Sequence, residues 1–355
     1  MDEPHRSFGP ANVGEPRVNV EEPVRLVQVQ SAAGGTRLGL ARDQGVVDLT
    51  GSASGAARSI IELIGASGDE PISAIVSELA AGRPATWTWA ELDRPPGAHS
   101  YLGPPIDAPE IWGAGVTYER SRDAREAESE GFSRFYAMVY QAERPELFLK
   151  TAGMARVAGP NAAIAIRSDS NWTVPEPELA LVIGRGGAIV GYTIGNDLSA
   201  RDIEAENPLY LPQAKTFAGS CGLGPAIVLH GEDIDPHNWT IEMRITRDGG
   251  ERFSGSVPVE RMRRSFEELV RYLRLDNEIR PGTVLLTGTG VVPPDDVALE
   301  PSDMVEIQID PIGILRNHAV ASSELSRARE GPSDDEPRRR RSGPTSSPSR
   351  RTRRR

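Results

Sequence analysis

The chain has 355 residues, of which 38% are hydrophobic, with a net charge of −11 and one cysteine. That length suits one large domain or two smaller ones, and no apolar run approaches the ~18 residues needed to cross a membrane. Cys221 alone cannot form an intrachain disulfide, and residues 1–7 lack the apolar core of a secretory signal. We therefore expect a cytoplasmic protein that does not bind membranes.

The first third of the chain predicts a small N-terminal α/β domain at residues 23–105. Residues 1–22 are polar and rich in Pro, Gly and Glu, which predicts disorder. Short β-rich runs follow at 24–29, 36–41 and 46–49, and apolar stripes of helical period occur at 56–64 and 71–81. Five prolines between positions 95 and 109 then indicate a linker.

Residues 106–322 predict a second, larger domain made mostly of strands. One helix interrupts them, because Ser265 and Glu268 form a capping-box pattern before an apolar face. Many strands with few helices favour a folded-over or barrel-like sheet and not a doubly wound nucleotide fold. The predicted strands are 162–166, 179–183, 189–194, 227–229, 240–246, 283–287 and 304–309.

The C-terminal residues 323–355 are predicted to form a disordered, Arg-rich tail. Residues 327–355 contain 11 Arg and 4 acidic residues, a net charge of +7, so the rest of the chain carries −18. The acidic body should repel nucleic acid. Contact between the tail and RNA or another polyanion, and a tolerated extension without a role, remain as alternatives.

Acidic residues and one lysine between positions 176 and 215 predict a divalent-metal site. Glu176 and Glu178 alternate in an extended Val-Pro-Glu-Pro-Glu-Leu segment and can therefore point to one side. Asp197 and Lys215 follow within forty residues. Carboxylates without Cys or His suit Mg²⁺, Mn²⁺ or Ca²⁺ better than Zn²⁺.

Lysine is rare in this chain, and its rarity singles out two positions. Of 40 basic residues, only Lys150 and Lys215 are lysines. A lysine can lose its proton when it is desolvated, whereas an arginine cannot. Lys215 is the stronger catalytic candidate, and both could also be surface residues retained by chance.

Several acidic residues outside this group have two interpretations. The charge run at 119–130 is either a solvated helix or a mobile lid over the metal, and Glu146 poses the same choice. Asp202, Glu204 and Glu206 could be ligands or partners of ligands. Gly-Thr-Gly at 288–290 lacks the remainder of a phosphate loop and is interpreted as a tight turn that presents backbone amides and Thr289 to a carboxylate.

Six motifs in one order resemble the fumarylacetoacetate hydrolase superfamily. They are Gly-Ala-Gly-Val-Thr-Tyr, Pro-Glu-Leu-Phe-Leu-Lys, Val-Pro-Glu-Pro-Glu-Leu-Ala-Leu-Val-Ile-Gly, Val-Gly-Tyr-Thr-Ile-Gly-Asn-Asp-Leu-Ser-Ala-Arg-Asp-Ile, Lys-Thr-Phe and Leu-Leu-Thr-Gly-Thr-Gly, within residues 106–320. The resemblance implies an α+β protein with a mixed-β, roll- or barrel-like catalytic domain, and a homo-oligomer. It also implies Mg²⁺ at Glu176, Glu178 and Asp197, Lys215 at the reacting centre and Thr289 near the substrate carboxylate.

One departure from the family pattern selects a subgroup. Hydrolases and decarboxylases of the family usually carry a His where Ser121 stands here, followed by a Glu, to activate water. The local sequences at 168–172 and 206–213 are most similar to the sugar-acid branch of the family, the 2-keto-3-deoxy-pentonate dehydratases. That resemblance implies a small anionic 2-keto acid substrate, contacted by Ser121, Arg201, Tyr210 and Gln213.

The chemistry of such a substrate assigns roles to three residues. Neutral Lys215 would take a C3 proton, and Glu146 would help the C4 hydroxyl leave, with Glu119 as a further candidate. The product would be 2,5-dioxopentanoate. A C–C hydrolase or decarboxylase of acylpyruvates is the enzymatic alternative, and a non-catalytic binding protein that uses the tail is the other.

Overall fold

A computed structural model describes residues 22–50, 58–68, 70–119 and 138–325. The predicted disordered N-terminus, apart from residue 22, the Arg-rich tail beyond residue 325 and most of the 119–130 charge run lie outside these ranges. No helix within the described ranges is long and apolar enough to cross a membrane.

The N-terminal segment contains the strands and helices that the sequence predicted, with small shifts of their ends. The strands are β1 (Arg25–Gln30), β2 (Thr36–Arg42), β3 (Gly45–Asp48) and the short β4 (Tyr101–Leu102). The helices are α1 (Ile60–Ala66), α2 (Ile72–Ala80) and α3 (Trp89–Leu92). Ser59 starts α1 by accepting from the Glu62 amide, which the apolar pattern alone did not locate.

The remainder of the described chain is dominated by strands. They are β5 (Glu110–Gly115), β6 (Glu146–Ala152), β7 (Val157–Ala158), β8 (Ala163–Ile166), β9 (Thr173–Val174), β10 (Pro177–Ile183), β11 (Ile189–Asp197), β12 (Ser199–Ala200), β13 (Cys221–Leu229), β14 (Thr240–Arg247), β15 (Gly250–Pro258), β16 (Thr283–Leu286), β17 (Met304–Ile309) and β18 (Gly313–Ala321). The helices are α4 (Arg201–Glu206), α5 (Leu211–Lys215) and α6 (Phe266–Arg274), with 3-10 turns at Arg185–Gly187, Pro208–Tyr210, Pro236–Asn238 and Val259–Arg261.

The strands form two large open sheets. The larger has the order β3-β2-β1-β13-β11-β10-β16-β5-β6, with β4 beside β1 and β7 beside β13; the smaller has the order β15-β14-β17-β18-β8. A two-stranded pair, β12 with β9, lies apart from both. The predicted mixed α+β architecture is confirmed, as open sheets and not as a closed barrel among the described strands.

The larger sheet is covered on both faces, and β10 shows this most clearly. Leu179, Leu181 and Ile183 pack with apolar side chains of the smaller sheet and of α6. Ala180 and Val182 point the other way and pack with residues of α1 and α2. Because both faces are buried, β10 is apolar without alternation.

The predicted helix at 265 is also confirmed. Ser265 Oγ accepts a hydrogen bond from the Glu268 amide at 3.1 Å, and Phe266, Leu269 and Val270 are buried on the core side. The expectation of a single helix in this segment was wrong, since α4 and α5 are also present. Strands β4, β5, β6, β7, β9, β12, β15 and β18 were not among the sequence predictions.

Candidate active site

The hairpin of β10 and β11 brings three carboxylates together. Glu178 lies in β10, Glu176 just precedes it, and Asp197 ends β11. Pro177 pairs with Asn196 at the open end of the hairpin, away from its turn, and the Asp197 amide donates to the Glu176 carbonyl at 2.9 Å. One carboxylate oxygen from each of the three residues lies within 4.8 Å of the others, and all three residues are buried.

Lys215, from the last turn of α5, neutralises part of this charge. Its Nζ donates to Glu176 Oε2 at 2.7 Å, to Asp197 Oδ2 at 2.9 Å and to Ser199 Oγ at 2.6 Å. Arg201 Nη2 binds the other Glu176 oxygen at 3.1 Å. Three acceptors surround Lys215 Nζ, which is the number of N–H groups on a lysine ammonium.

The Glu178 carboxyl lies in an environment that disfavours its negative charge. Burial raises the pKa of its carboxyl well above the ordinary range, and the negative charges of Asp197 and Glu176 raise it further. Lys215 and the Gly288 amide, which donates to Glu178 Oε2 at 2.5 Å, lower it in part. A buried anion in this position would be stabilised by a further cation.

Gly288 can approach Glu178 only because it is glycine. Its φ is +94°, and a Cβ added there would lie 2.0 Å from Thr117 Oγ1. Thr117 itself donates to the Thr287 carbonyl at 2.7 Å, which fixes this turn.

The carboxylates and Lys215 line a small cavity with about 20 Å³ of free space. Glu146 enters it from β6, opposite Gly115 of β5, where an added Cβ would lie 2.2 Å from Glu146 Oε2. Glycine at 115 therefore leaves room for the Glu146 carboxyl. The remaining lining residues are Ala114, Val116, Phe148, Glu204, Leu211 and Thr289.

The donor set fits a hard divalent cation. The three clustered side chains offer oxygen only, and their negative charge is buried. Mg²⁺, Mn²⁺ and Ca²⁺ favour such carboxylate ligands.

The structure brings six of the predicted site residues to one cavity. They are Glu146, Glu176, Glu178, Asp197, Lys215 and Thr289. Arg201 lies behind Glu176, while Glu119 lines a neighbouring cavity with Tyr118 and Tyr140. Ser121 lies outside the described residues.

Two further predicted residues, Tyr210 and Gln213, are not among the described residues that line the cavity. Tyr210 is half-buried, and Gln213 is exposed, with its carbonyl bound by Arg167 Nη1 at 2.7 Å. Of the alternative ligands, Glu204 lines the cavity, whereas Asp202 accepts from Ser170 Oγ and the Asn171 amide.

Four residues that position the site were not predicted as members of it: Gly115, Phe148, Ser199 and Gly288. Gly115 gave no signal beyond its motif, because its role depends on Glu146 of the neighbouring strand. The turn at 288–290 was predicted to present amides to a carboxylate, and the Gly288 amide donates to Glu178. Lys150 carried a usable signal, since it shares the rarity of Lys215, and it too is buried at this centre.

The β10–β11 hairpin carries a buried cluster of three carboxylates with a lysine among them. This arrangement is typical of metal-dependent enzymes. The chain belongs to the fumarylacetoacetate hydrolase family: the model described as "Fumarylacetoacetate (FAA) hydrolase C-terminal" matches residues 110–320.

Individual relatives within this family share a sugar-acid activity. The chain is 50% identical over 214 residues to the 2-dehydro-3-deoxy-D-arabinonate dehydratase of Saccharolobus solfataricus, covering 59% of this chain and 72% of the relative. It is 48% identical over 213 residues to the probable 2-keto-3-deoxyxylonate dehydratase of Haloferax volcanii, covering 60% and 73%. A solved 2-keto-3-deoxy-D-arabinonate dehydratase, complexed with magnesium and 2,5-dioxopentanoate, matches at a TM-score of 0.71 and 38% identity, over 84% of this chain and 99% of the other.

Proposed function

We propose that this protein is a magnesium-dependent hydro-lyase that converts a 2-keto-3-deoxy-pentonate to 2,5-dioxopentanoate in sugar-acid catabolism. The observation that carries the proposal is the buried Glu176, Glu178 and Asp197 group, with Lys215 among its carboxylates, facing one cavity. The identity of 50% to a dehydratase with a sugar-acid substrate supports the substrate class.

Glu176, Glu178 and Asp197 are the proposed ligands of Mg²⁺, which Mn²⁺ or Ca²⁺ could replace. A bound divalent cation would act as a Lewis acid that stabilises the charge developing on a 2-keto acid when a C3 proton leaves. The oxygens that bind Lys215 belong to two of these ligands. Cation and ammonium therefore compete for one set of negative charges.

The chain's own residues divide the proton transfers between two sides of the cavity. Lys215 Nζ, on the carboxylate side, is the proposed acceptor of the C3 proton in its neutral form, which a divalent cation on the same carboxylates would favour. Glu146, on β6, donates a proton to the C4 hydroxyl, which leaves as water. Loss of a C5 proton and return of a proton to C3 then move the double bond to C4–C5. The resulting enol loses its hydroxyl proton and gains one at C4 to become the aldehyde. General acid–base catalysis of this kind contributes about 10²–10⁴-fold.

The remaining proposed contacts orient the substrate. Thr289 lies at the cavity wall, where its hydroxyl could meet the substrate carboxylate. We retain Ser121, Arg201, Tyr210 and Gln213 as proposed substrate-binding residues, and Glu119 as an alternative catalytic group. Arg201 would act through its ion pair with Glu176.

A panel of 2-keto-3-deoxy acids, assayed with Mg²⁺, tests the proposal. We expect a pentonate to yield 2,5-dioxopentanoate, trapped by an aldehyde reagent, and EDTA to abolish turnover until Mg²⁺ or Mn²⁺ is added. Release of pyruvate, acetate or CO₂ would instead assign the protein to the C–C hydrolases or decarboxylases of the family. Full activity in metal-free protein would refute the metal assignment.

We further propose a cytoplasmic location and a homo-oligomeric assembly. A single buried cysteine is compatible with a reducing compartment. The exposed apolar side chains of Leu149 and Leu209 support a contact between copies of the chain. Light scattering coupled to size exclusion measures the assembly directly.

A further inference from the structure

Lys150 lies in β6 and is completely buried. Its Nζ lies 2.5 Å from Asp197 Oδ1, 2.8 Å from the Leu198 carbonyl and 2.5 Å from the Lys215 carbonyl. The two carbonyls accept hydrogen bonds from its N–H groups, and Asp197 Oδ1 is its ion-pair partner. Lys150 is therefore a fixed cation beside the acidic cluster.

The three oxygens around Lys150 Nζ come from residues that build the candidate site. Asp197 is a proposed metal ligand, and Leu198 continues the chain from it. The Lys215 carbonyl lies at the C-terminal end of α5, where a helix leaves carbonyls without intrahelical partners and a cation is favourable. One ammonium thus joins the end of β11 to the helix that presents Lys215.

Lysine suits this position better than arginine. The site requires three oxygens around a single nitrogen, and a planar guanidinium spreads its donors over a fork. The chain otherwise uses arginine for 38 of its 40 basic residues. Both of its lysines lie here, at 0% and 3% exposure.

We propose that Lys150 is a positioning residue that fixes Asp197 relative to Lys215. It binds Asp197 Oδ1, which leaves Oδ2 to Lys215 Nζ. Lys150 is not among the residues that line the cavity, so it acts through these groups and not on the substrate. The inference rests on the proposed function, because it assumes that Asp197 binds the cation.

Substitution of Lys150 by Met tests the role, since Met keeps the length of the side chain and removes its charge and donors. Titration calorimetry on metal-stripped protein should show a Mg²⁺ Kd raised roughly 10–100-fold, the range for residues that orient metal ligands. At saturating Mg²⁺ the remaining loss should fall on kcat, with KM changed less than about threefold, because Lys150 does not touch the substrate. Circular dichroism at 25 °C confirms that each variant is folded.

Arg247→Met is the matched control. Arg247 also binds a buried carboxylate, Asp303 at 2.7 Å, but in the smaller sheet away from the cavity. The Arg247→Met substitution should lower the melting temperature without changing the Mg²⁺ Kd or kcat.

Lys150→Arg separates position from charge. We expect it to restore neither Mg²⁺ affinity nor kcat; full rescue would mean that charge alone suffices and would overturn the proposal. A Lys150→Met protein with wild-type Kd and kcat would also overturn it, as would unfolding of both variants while Arg247→Met folds. If the wild-type protein binds no Mg²⁺ or dehydrates no substrate, the proposed function fails first, independently of Lys150.

Discussion

At the scale of single residues, Glu178 combines burial among other carboxylates with a hydrogen bond from the backbone. Its carboxyl is buried, its pKa is raised by burial and by two neighbouring carboxylates, and one oxygen is bound by the Gly288 amide. Glu178→Gln removes a negative ligand and keeps the shape. We therefore expect a Mg²⁺ Kd increased by roughly tenfold or more in calorimetry.

Glu242→Gln provides the comparison for this measurement. Glu242 is also a partly buried carboxyl with a raised pKa, caused by burial and by Asp310, but it lies in β14 of the smaller sheet. Its substitution should leave the Mg²⁺ Kd unchanged. Equal Kd values for wild type and Glu178→Gln would remove Glu178 from the ligand set.

Lys215 gives a second test at the residue scale. Lys215→Arg keeps a positive charge, but guanidinium stays protonated near neutral pH, so most dehydratase activity should be lost. Lys215→Ala should also stop exchange of substrate C3 protons with deuterated solvent, followed by NMR. Exchange at the wild-type rate in Lys215→Ala would show that another group, Glu146 or Glu119, takes the proton.

The sequence predicted the acidic cluster because strand geometry is local. Residues two apart in an extended segment share a side, so Glu176 and Glu178 could be paired from the sequence alone. The contact of Gly288 with Glu178 spans 110 residues and depends on strand order. The turn at 288–290 was predicted to present amides to a carboxylate, but the sequence alone did not identify that carboxylate as Glu178.

At the scale of elements, the smaller sheet carries a row of alternating charges across three strands. Glu306 of β17 pairs with Arg244 of β14 on one side and with Arg316 of β18 on the other. The ion pairs measure 2.6 Å and 2.7 Å. Each cross-strand pair of this kind typically contributes about 0.2–1 kcal/mol.

The charge row predicts a defined pH dependence of stability. Burial by itself would raise the pKa of Glu306, but hydrogen bonds and charge from Arg244 and Arg316 outweigh it, and the pKa lies below its ordinary 4.5. The folded state therefore favours the ionised form, and this stability is present above pH 4.5 and lost as the pH falls through the folded pKa. Glu306→Gln should cost about 1 kcal/mol at pH 7 and progressively less below pH 4.5, measured by urea unfolding.

Glu251→Gln serves as the control. Glu251 is exposed in β15, and its described side-chain contact is a hydrogen bond that it accepts from Ser254 Oγ. The substitution should leave the pH profile of unfolding unchanged. A constant difference between wild type and Glu306→Gln from pH 7 to pH 3 would mean that Glu306 does not titrate as described.

Elements with regular apolar patterns were predictable, and those without were not. The capped helix α6 and the apolar strand β10 follow from their residues. β15 was missed because its sequence, Gly-Glu-Arg-Phe-Ser-Gly-Ser-Val-Pro, is mostly exposed and held by pairing with β14. β15 forms because it pairs with β14, and such pairing leaves no pattern in its own sequence.

At the scale of the whole molecule, the N-terminal strands continue the sheet of the larger segment. β1 pairs with β13 at Arg25–Val228 and Leu26–Ile227, and one apolar cluster includes Leu26, Leu223 and Ile227. We retain the boundary near residue 105 as a proposal about chain organisation. The shared sheet could not be foreseen, because the prolines at 95–109 resemble a linker whether or not the segments pair.

Truncation at the C-terminus is expected to be tolerated if it spares the last described turn. Leu325 packs near Gly219, because a Cβ added at Gly219 would lie 3.4 Å from Leu325 Cδ1. The truncation is therefore placed after residue 325. The composition of the remaining 30 residues cannot build a core. Residues 1–325 should match the full chain in kcat and melting temperature.

Gel-shift experiments with RNA, comparing the two lengths, address the alternative role of the tail. Binding by the full chain alone would assign the polyanion contact to residues 326–355. A fall in kcat or melting temperature in the shorter protein would instead show that these residues support the folded body.

The burial of both lysines makes proteolysis a reporter of active-site opening. A protease that cleaves only after lysine has two sites in this chain, and each is enclosed at the carboxylate cluster. Cleavage of the native protein requires local or global opening there, and its rate follows the population of the open form when reclosing is fast. Mg²⁺ that binds only the closed form should slow the cut in proportion to its saturation. The fragments 1–150, 151–215 and 216–355 would thus measure how often the metal centre comes apart, without substrate and without a label.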